Sequence, residues 1–452
     1  MDIHRLKALA FTTSLVALVF LITQTRFTFS SVNLTWPPLT FGGKRRPDFS
    51  MYKSLSILSV QDFPLDPAAS RRTVIIGDIH GMNSSLRCVS YPARETILTL
   101  TPCSSILDVL DYDPSSDVLI HVGDIIAKGP YEGSLAVLSY MASHNITGIR
   151  GNHDQKVIEW RGWLDWLHRF PDGRKWLTVL ERRWDEAAAE GADPDVWASK
   201  QMKRHRSPWW RTIPKDWKIF AEHYKIARAM SDAEYRYLLA LPLVLHIPHA
   251  HTFVVHAGLL SSDPRYKPRD PRQPLARVPT LFDSAKSKHG SDVPKLRRAQ
   301  ESALLSDIEQ NTDPWVKLNM RGVLKNHDVT RGKDGRPWSD IWNRDMSRCD
   351  GFEHGLSFDD DHTTSKKRKA LPCHPSTVVY GHAASRGLDI KRWTVGLDSG
   401  CVYGRKLSAL VLGRHKHVNL QKHQKHQKPT PTDIPFSDSL TGHVVSIECQ
   451  LE

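Results

Sequence analysis

The stretch Asp117-Val-Leu-Ile-His-Val-Gly-Asp-Ile-Ile-Ala-Lys-Gly-Pro130 decides the fold. Val118 to Val122 is a short apolar, β-branched run, the composition of a strand buried in a sheet. It stops at Gly123-Asp124, and a polar segment containing Gly129 and Pro130 follows, which marks a loop. Asp124 therefore stands at the carboxyl end of a buried strand, the edge at which open α/β sheets bind ligands. One such acid means little, but the chain repeats the arrangement.

Upstream, Thr73 to Ile76 ends at Gly77-Asp78-Ile79-His80-Gly81, and a helical stretch is expected from Ser84 or Ser85. Downstream, Ser134 to His144 sets Leu135, Leu138 and Met141 at helical spacing. Ile146 to Arg150 reads as a third strand and ends at Gly151-Asn152-His153-Asp154. Thr252 to Val255 ends at His256-Ala257-Gly258, and Ser376 to Tyr380 ends at Gly381-His382. Trp393 to Leu397, Leu407 to Leu412 and His443 to Glu448 add further strands. Strand–helix alternation of this kind predicts an α/β fold with parallel strands.

Between these blocks lie insertions. Residues 155–241 are helical in flavour and rich in tryptophan, and Ser231-Asp-Ala-Glu234 is a capping box. Tryptophans interleaved with Arg and Lys could stack nucleobases; the core of a helical cap is the preferred reading. Residues 299–375 show little periodicity and are expected to form an irregular insertion near the site, with a basic run at Lys366–Lys369. Residues 414–437 form a basic segment, His/Lys/Gln-rich from His415 to Thr432, and are expected as a low-complexity loop.

With 452 residues the chain is long enough for several domains or for one with large insertions. A net charge of +13 attracts polyanions such as phosphate polymers, nucleotides or nucleic acid, unless it belongs to basic tails with no partner. No stable nucleic-acid partner is expected. Ala8 to Thr25 carries no charge and is mostly apolar. It is either a cleaved signal or a single-pass signal anchor, and no small-x-small cleavage pattern follows closely, which favours the anchor. Arg5 and Lys7 ahead of it place the amino terminus in the cytosol and the remainder across the membrane. The organisation expected is an anchor at 1–30, a linker at 31–70 and one domain at 71–452. Six cysteines without a CxxC pair argue against a zinc knuckle and would allow disulfides in an oxidising compartment. Asn33, Asn83 and Asn145 begin glycosylation triplets, though Asn83 follows a candidate ligand loop and is a poor acceptor.

The strand ends carry Asp78 and His80, then Asp124, then Asn152 and His153, then His256, then His382. These are the oxygen and nitrogen donors that divalent transition metals take. Six ligands suffice for two metals sharing one carboxylate, and two metals about 3.5–4 Å apart recur in phosphoester and phosphoanhydride hydrolysis. His153, next to Asn152, is placed to protonate the leaving oxygen. Lys128 and Arg150 are candidates for holding phosphate, with Arg321 and Arg386 behind them.

The ordered set D-x-H, G-D, G-N-H-D, V-H-A-G and G-H resembles the calcineurin-like metallophosphoesterase superfamily over roughly Arg71 to Glu448. The resemblance implies a two-sheet sandwich flanked by helices (αββα). It also implies Asp78, His80 and Asp124 at one metal, and Asp124, Asn152, His256 and His382 at the other. Zinc is the metal expected, with Mn, Fe or Co possible. In the protein serine/threonine phosphatases the second block reads G-D-x-V-D-R-G, where the second Asp orients the catalytic His and the Arg binds phosphate. Here those positions are Ala127 and Lys128, so that carboxylate is missing, and the third block ends in Asp154 rather than Glu. The chain is instead similar to the diadenosine-tetraphosphatase branch, through Ala127 and through Gly396-Leu-Asp-Ser-Gly-Cys-Val-Tyr-Gly404. Within that branch, the anchor and the block Gly381 to Leu388 look most like fungal vacuolar endopolyphosphatases. That implies zinc-dependent cleavage of polyphosphate, a polyanionic substrate, by a type II vacuolar membrane protein with its domain in the lumen. Dinucleoside-polyphosphate hydrolysis, capped-RNA hydrolysis and phosphoprotein hydrolysis are the alternatives. A catalytically dead binding module is a further one, disfavoured by the complete ligand set.

Overall fold

Every strand that carries a candidate ligand is present, and each ends within a few residues of it. The computed structural model describes residues 48–66, 71–87, 105–281, 292–353, 370–413 and 431–450. The anchor segment, Asn33, Cys88, Cys103, the Lys366–Lys369 run and most of the His-rich segment lie outside the described residues. Among the described residues no helix is long and apolar enough to cross a membrane.

In chain order the strands are β1 (Ser56–Ile57), β2 (Arg72–Ile76), β3 (Val118–His121), β4 (Thr147–Gly148), β5 (Val244–Ile247) and β6 (Thr252–Val255). A small meander follows, β7 (Gly322–Val323), β8 (Val329–Thr330) and β9 (Arg336–Pro337). The remainder are β10 (Thr377–Tyr380), β11 (Asp389–Lys391), β12 (Thr394–Gly396), β13 (Lys406–Gly413), β14 (Thr432–Phe436) and β15 (Leu440–Glu448). One sheet runs β14-β15-β13-β2-β3-β4 and the other β1-β5-β6-β10-β12-β11. The ligand-bearing strands pair in parallel: β2 with β3, β3 with β4, and β6 with β10. The outer strands β13, β15, β14 and β5 pair antiparallel, so both sheets are mixed rather than wholly parallel.

Side-chain alternation along each strand builds four layers. Ile75, Ile120, Leu410 and Leu412 from one sheet meet Leu245, Val254, Val379 and Val395 from the other. The opposite face of the first sheet, with Val74, Ile76 and Leu119, packs on helix Tyr131–Ser143 and the helical insertion. The opposite face of the second, with Phe253, Val255 and Tyr380, packs on helices Val293–Ser306 and Trp338–Met346. This is the αββα sandwich.

The insertion consists of helices Asn152–His168, Pro171–Ala189, Pro194–Arg204, Glu222–Ala229 and Asp232–Ala240. Trp160, Trp163, Trp166, Trp184, Trp209 and Trp210 are buried in one cluster, mostly edge-to-face, as a core. Three expectations are corrected. The stretch expected as a linker at 31–70 is part of the domain over its described residues 48–66: Ser56–Ile57 pairs with β5, and Leu58 and Phe63 are buried in the inter-sheet core. Among the described residues of 299–375 the chain is not irregular: it includes most of Val293–Ser306, the turns Glu309–Thr312 and Pro314–Asn319, and Trp338–Met346. Short helices closed by Pro at their first turns carry too few periodic positions to be read. Within 414–437, Thr432–Phe436 is an edge strand on β15 despite Pro435, which an edge tolerates.

Disulfides join Cys349 to Cys373 and Cys401 to Cys449. Asn83 is buried beside the site, whereas Asn145 is exposed on the turn between Tyr131–Ser143 and β4.

Candidate metal centre

The chain turns sharply after each strand to aim a polar side chain inward. His80, Asp124 and His382 have φ of 50°, 50° and 67°, and Ala127 and Lys128 have 68° and 67°. Non-glycine residues seldom take this left-handed conformation, and its concentration here is strain of the kind held at functional sites. The turns are tied together by backbone bonds: Ile79 and His80 N–H donate to the Asp124 carbonyl, and Gly381 N–H donates to the His256 carbonyl. Two glycines permit the close approach. A Cβ on Gly381 would lie 2.0 Å from Asp78 Oδ1, and one on Gly151 would lie 2.2 Å from Asp124 Oδ1.

The six predicted ligands converge. Asp78, His80 and Asp124 form one group and Asp124, His256 and His382 another, with ligand atoms in each within 4.8 Å of one another. Asp124 belongs to both. Asn152 joins the second group, its Oδ1 lying 3.1 Å from His256 Nε2 and 2.9 Å from His382 Nδ1.

The hydrogen bonds fix which nitrogen faces inward. His80 Nδ1 is 3.0 Å from the Ala127 carbonyl and His256 Nδ1 is 2.9 Å from the Val122 carbonyl. His382 Nε2 is 3.2 Å from the Asn319 carbonyl. Those nitrogens carry the protons in the neutral rings, because a carbonyl only accepts. The inward nitrogens are then bare lone pairs, and they face oxygens: His256 Nε2 lies 3.3 Å and His80 Nε2 3.7 Å from Asp124 Oδ2. Acceptors aimed at acceptors repel unless a proton or a cation lies between them. Backbone carbonyls that fix a ring in this way are the usual outer support of metal-binding histidines. The donor set therefore fits two divalent cations.

The charges agree. Burial raises Asp78 well above the carboxylate range, and the neighbouring Asp398 adds to this. Burial would also raise Asp124, but His256, His153 and His80 hold it well below that range. Burial would lower His256, yet Asp124 lifts it to about 9, so a proton takes the cation's place in the metal-free protein. Burial lowers His80 and His382, which suits neutral ligands.

His153 N–H donates to Asp124 Oδ1 at 2.8 Å. Its ring meets the His80 ring edge-on, and burial lowers it to about 2. Its Nδ1 lies 2.9 Å from Nε2 of His223, on helix Glu222–Ala229. Asp154 Oδ2 accepts from Gly151 and Asp124 N–H at 2.8 and 2.9 Å, and Oδ1 from Ile125 N–H at 3.1 Å. It thereby locks the third block onto the second.

Of the predicted phosphate binders, Lys128 is exposed beside the site. Arg321 donates to the His382 carbonyl at 3.3 Å, and Arg386 donates to the Arg321 carbonyl. Arg386 Nη1 has no hydrogen-bond partner among the described residues. Arg150 is not brought to the site. It is wholly buried, and its guanidinium donates to the carbonyls of Met51 and Leu239 and to Gln155 Oε1. Ile149 before it faces the inter-sheet core, so alternation turns Arg150 to the helical side.

Sequence reasoning missed three residues. Asp398 is buried near Asp78 and His80 and lies in the quoted G-L-D-S-G-C block, which was the available signal. Arg405 donates to the Ala384 carbonyl beside Arg386. His223 lies in Ala221-Glu-His-Tyr224, where no motif marks it.

Residues 71–255 match the calcineurin-like phosphoesterase family model. Over 417 residues it is 22% identical to the zinc-dependent endopolyphosphatase of Saccharomyces cerevisiae, covering 90% of this chain and 93% of that protein. It is 31% identical over 110 residues to serine/threonine-protein phosphatase 1 of Salmonella typhimurium, covering 24% of this chain and 42% of that one. It is 36% identical over 88 residues to the symmetrical bis(5'-nucleosyl)-tetraphosphatase of Edwardsiella ictaluri, covering 19% of this chain and 25% of that one. The chain thus spans less than half of the length of each of these two bacterial proteins.

Proposed function

We propose that this protein is a two-metal phosphohydrolase that cleaves phosphoanhydride bonds, with inorganic polyphosphate as its substrate. The observation that carries the reading is the pair of ligand groups sharing Asp124, with inward lone pairs that need a cation. Asp78, His80 and Asp124 would hold one metal; Asp124, Asn152, His256 and His382 would hold the other. Such metals, zinc first among them, acidify a water and draw charge from the phosphoryl oxygens when bound. Lys128, Arg321 and Arg386 bind the flanking phosphates as cations. His153, held through its backbone amide and its Nδ1, presents Nε2 to the oxygen that leaves.

Three features favour a phosphoanhydride chain over a phosphoprotein. Ala127 and Lys128 replace the Asp and Arg of the phosphoprotein enzymes. The endopolyphosphatase alignment spans nearly the whole of both proteins. Arg321 is lowered by burial and by the nearby Arg386, the mark of two guanidinium groups set close enough to repel and therefore suited to a multiply charged ligand. The tryptophans of the helical insertion pack against one another as a core rather than as a stacking platform. The lumenal location is part of the proposal. It is supported by the apolar run at Ala8–Thr25 behind Arg5 and Lys7, and by two disulfides, which persist in oxidising compartments.

The test offers the purified zinc-loaded protein polyphosphate, diadenosine tetraphosphate, capped RNA and a phosphopeptide. Shortened polyphosphate is expected. Intact polyphosphate alongside turnover of another substrate overturns the choice. A protease-protected, glycosidase-sensitive domain is expected in isolated membranes; full cytosolic exposure rejects the lumenal reading.

A further inference from the structure

His153 lacks the carboxylate partner that the phosphoprotein enzymes carry, because the corresponding position is Ala127, whose side chain is a methyl group. The Ala127 carbonyl is engaged by His80 Nδ1, and its N–H donates to Ser134 Oγ at 3.1 Å. Asp154, the nearest acid in sequence, is committed to three backbone amides. The second strand-end block thus offers His153 no orienting group.

The helical insertion supplies one from the other side. His223 Nε2 lies 2.9 Å from His153 Nδ1, and the ring centroids are 5.1 Å apart with planes 21° from parallel. That centroid separation, with the nitrogens so close, is what two imidazoles give when they lie in line through a shared N–H···N bond. The contact fixes the ring of His153 about its last torsion, which is otherwise broad for histidine. It also occupies Nδ1, leaving Nε2 as the nitrogen that can work on a substrate. Helix Glu222–Ala229 is seated there by more than this bond. Tyr224 is buried against Trp160 and Phe220, and its hydroxyl donates to Glu181 Oε1 at 2.6 Å. Beside His223, burial raises the Glu222 carboxyl, and a hydrogen bond from the Lys128 backbone together with the Lys128 charge offsets part of that rise. The helix therefore touches both the exposed lysine and the histidine of the site.

We propose that His223 is the positioning residue of His153, so that the active site is completed by the helical insertion rather than by the sheet. The inference rests on the reading of His153 as the group at the leaving oxygen. In the step concerned, the P–O bond to the leaving phosphate breaks as water oxygen bonds to phosphorus. The N–H at His153 Nε2 donates a hydrogen bond to the departing oxygen, and the proton which that oxygen takes up comes from the consumed water. His223 undergoes no net change. An imidazole partner carries no charge at this place, unlike a carboxylate.

The test is a double-mutant cycle in the full-length, metal-loaded protein, on whichever phosphoanhydride the wild type turns over fastest. His223→Ala should lower kcat about 10–100-fold, the range expected when a reacting group is misplaced, with KM changed less than about 2-fold. Metal content should remain that of wild type. In a His153→Ala background, His223→Ala should have no further effect, because a residue acting through another is non-additive with it. His223→Gln, whose amide reaches Nδ1, should recover most of the loss. Independently of activity, nitrogen spectra of 15N-histidine in the metal-free protein should show one fixed tautomer for His153 in the wild type and a mixture in His223→Ala. Wild-type kcat in His223→Ala, an additive cycle, a loss that follows metal content, or an unchanged His153 spectrum would each overturn the proposal. If polyphosphate is not the substrate, the cycle runs on the other anhydride, so the two readings fail separately.

Discussion

Asp124→Asn isolates the part of the site on which the account most depends. The substitution keeps shape and removes one charge. Asn Oδ1 can still accept the His153 amide, now 2.8 Å from Asp124 Oδ1. Its amide nitrogen would stand where Oδ2 stands, 3.3 Å from His256 Nε2 and 3.7 Å from His80 Nε2. It could then donate to lone pairs that otherwise await a cation. The metal-free variant should accordingly fold, with a Tm within a few degrees of the metal-free wild type. Metal binding should suffer twice, because both ligand groups contain Asp124. Loss of an outer supporting residue alone weakens a metal about 10–100-fold, so loss of a direct ligand should cost at least about 100-fold at each position. For the pair that is about 10⁴, or ~5.5 kcal/mol. Calorimetric titration of the stripped protein with zinc, with metal counted by elemental analysis, reads this directly. A variant that binds two metals with wild-type affinity and retains turnover would refute the reasoning.

Further outcomes test neighbouring parts. Gly381→Ala places a Cβ against Asp78 Oδ1 and should remove the Asp78 group's metal while the fold survives, read by metal count and far-UV spectra. Arg150→Met leaves the Met51 and Leu239 carbonyls without a donor; at about 1–3 kcal/mol for each orphaned group, stability should fall markedly while KM of the folded fraction is unchanged, the opposite of a phosphate-binding role. Glu301 bridges His246 Nε2 and His251 Nδ1 at 2.8 Å each, and Glu301→Ala should cost about 3–5 kcal/mol in denaturant unfolding. Burial would raise its carboxyl, but the two histidines hold it below its ordinary 4.5. Its contribution is therefore present above pH 4.5 and lost as pH falls through the lowered folded value, so Glu301→Gln should flatten the acid limb of the stability curve. Replacing Cys401 and Cys449, separated by 48 residues, should cost about 4 kcal/mol by loop closure.

The site was legible because each ligand follows a short β-branched run, and that pattern survives in one sequence. Val118–His121, Thr252–Val255 and Thr377–Tyr380 show it plainly. The strand Val244–Ile247 was missed because Pro242 and the preceding helix mask its start, and its four buried residues show no alternation. Arg150 was misassigned because position after a strand says nothing about which face a side chain takes. His223 could not be found, since it reaches His153 only through the packing of a helix 70 residues away in sequence. Strand ends are local facts; the contacts of an inserted helix are tertiary ones.

Crystals of the full domain equilibrated with zinc, measured across the zinc absorption edge, test the central claim most directly. The account predicts two anomalous peaks about 3.5–4 Å apart, one bounded by Asp78 and His80 and the other by Asn152, His256 and His382, with Asp124 between them. A single peak, or two peaks that do not share Asp124, would contradict it.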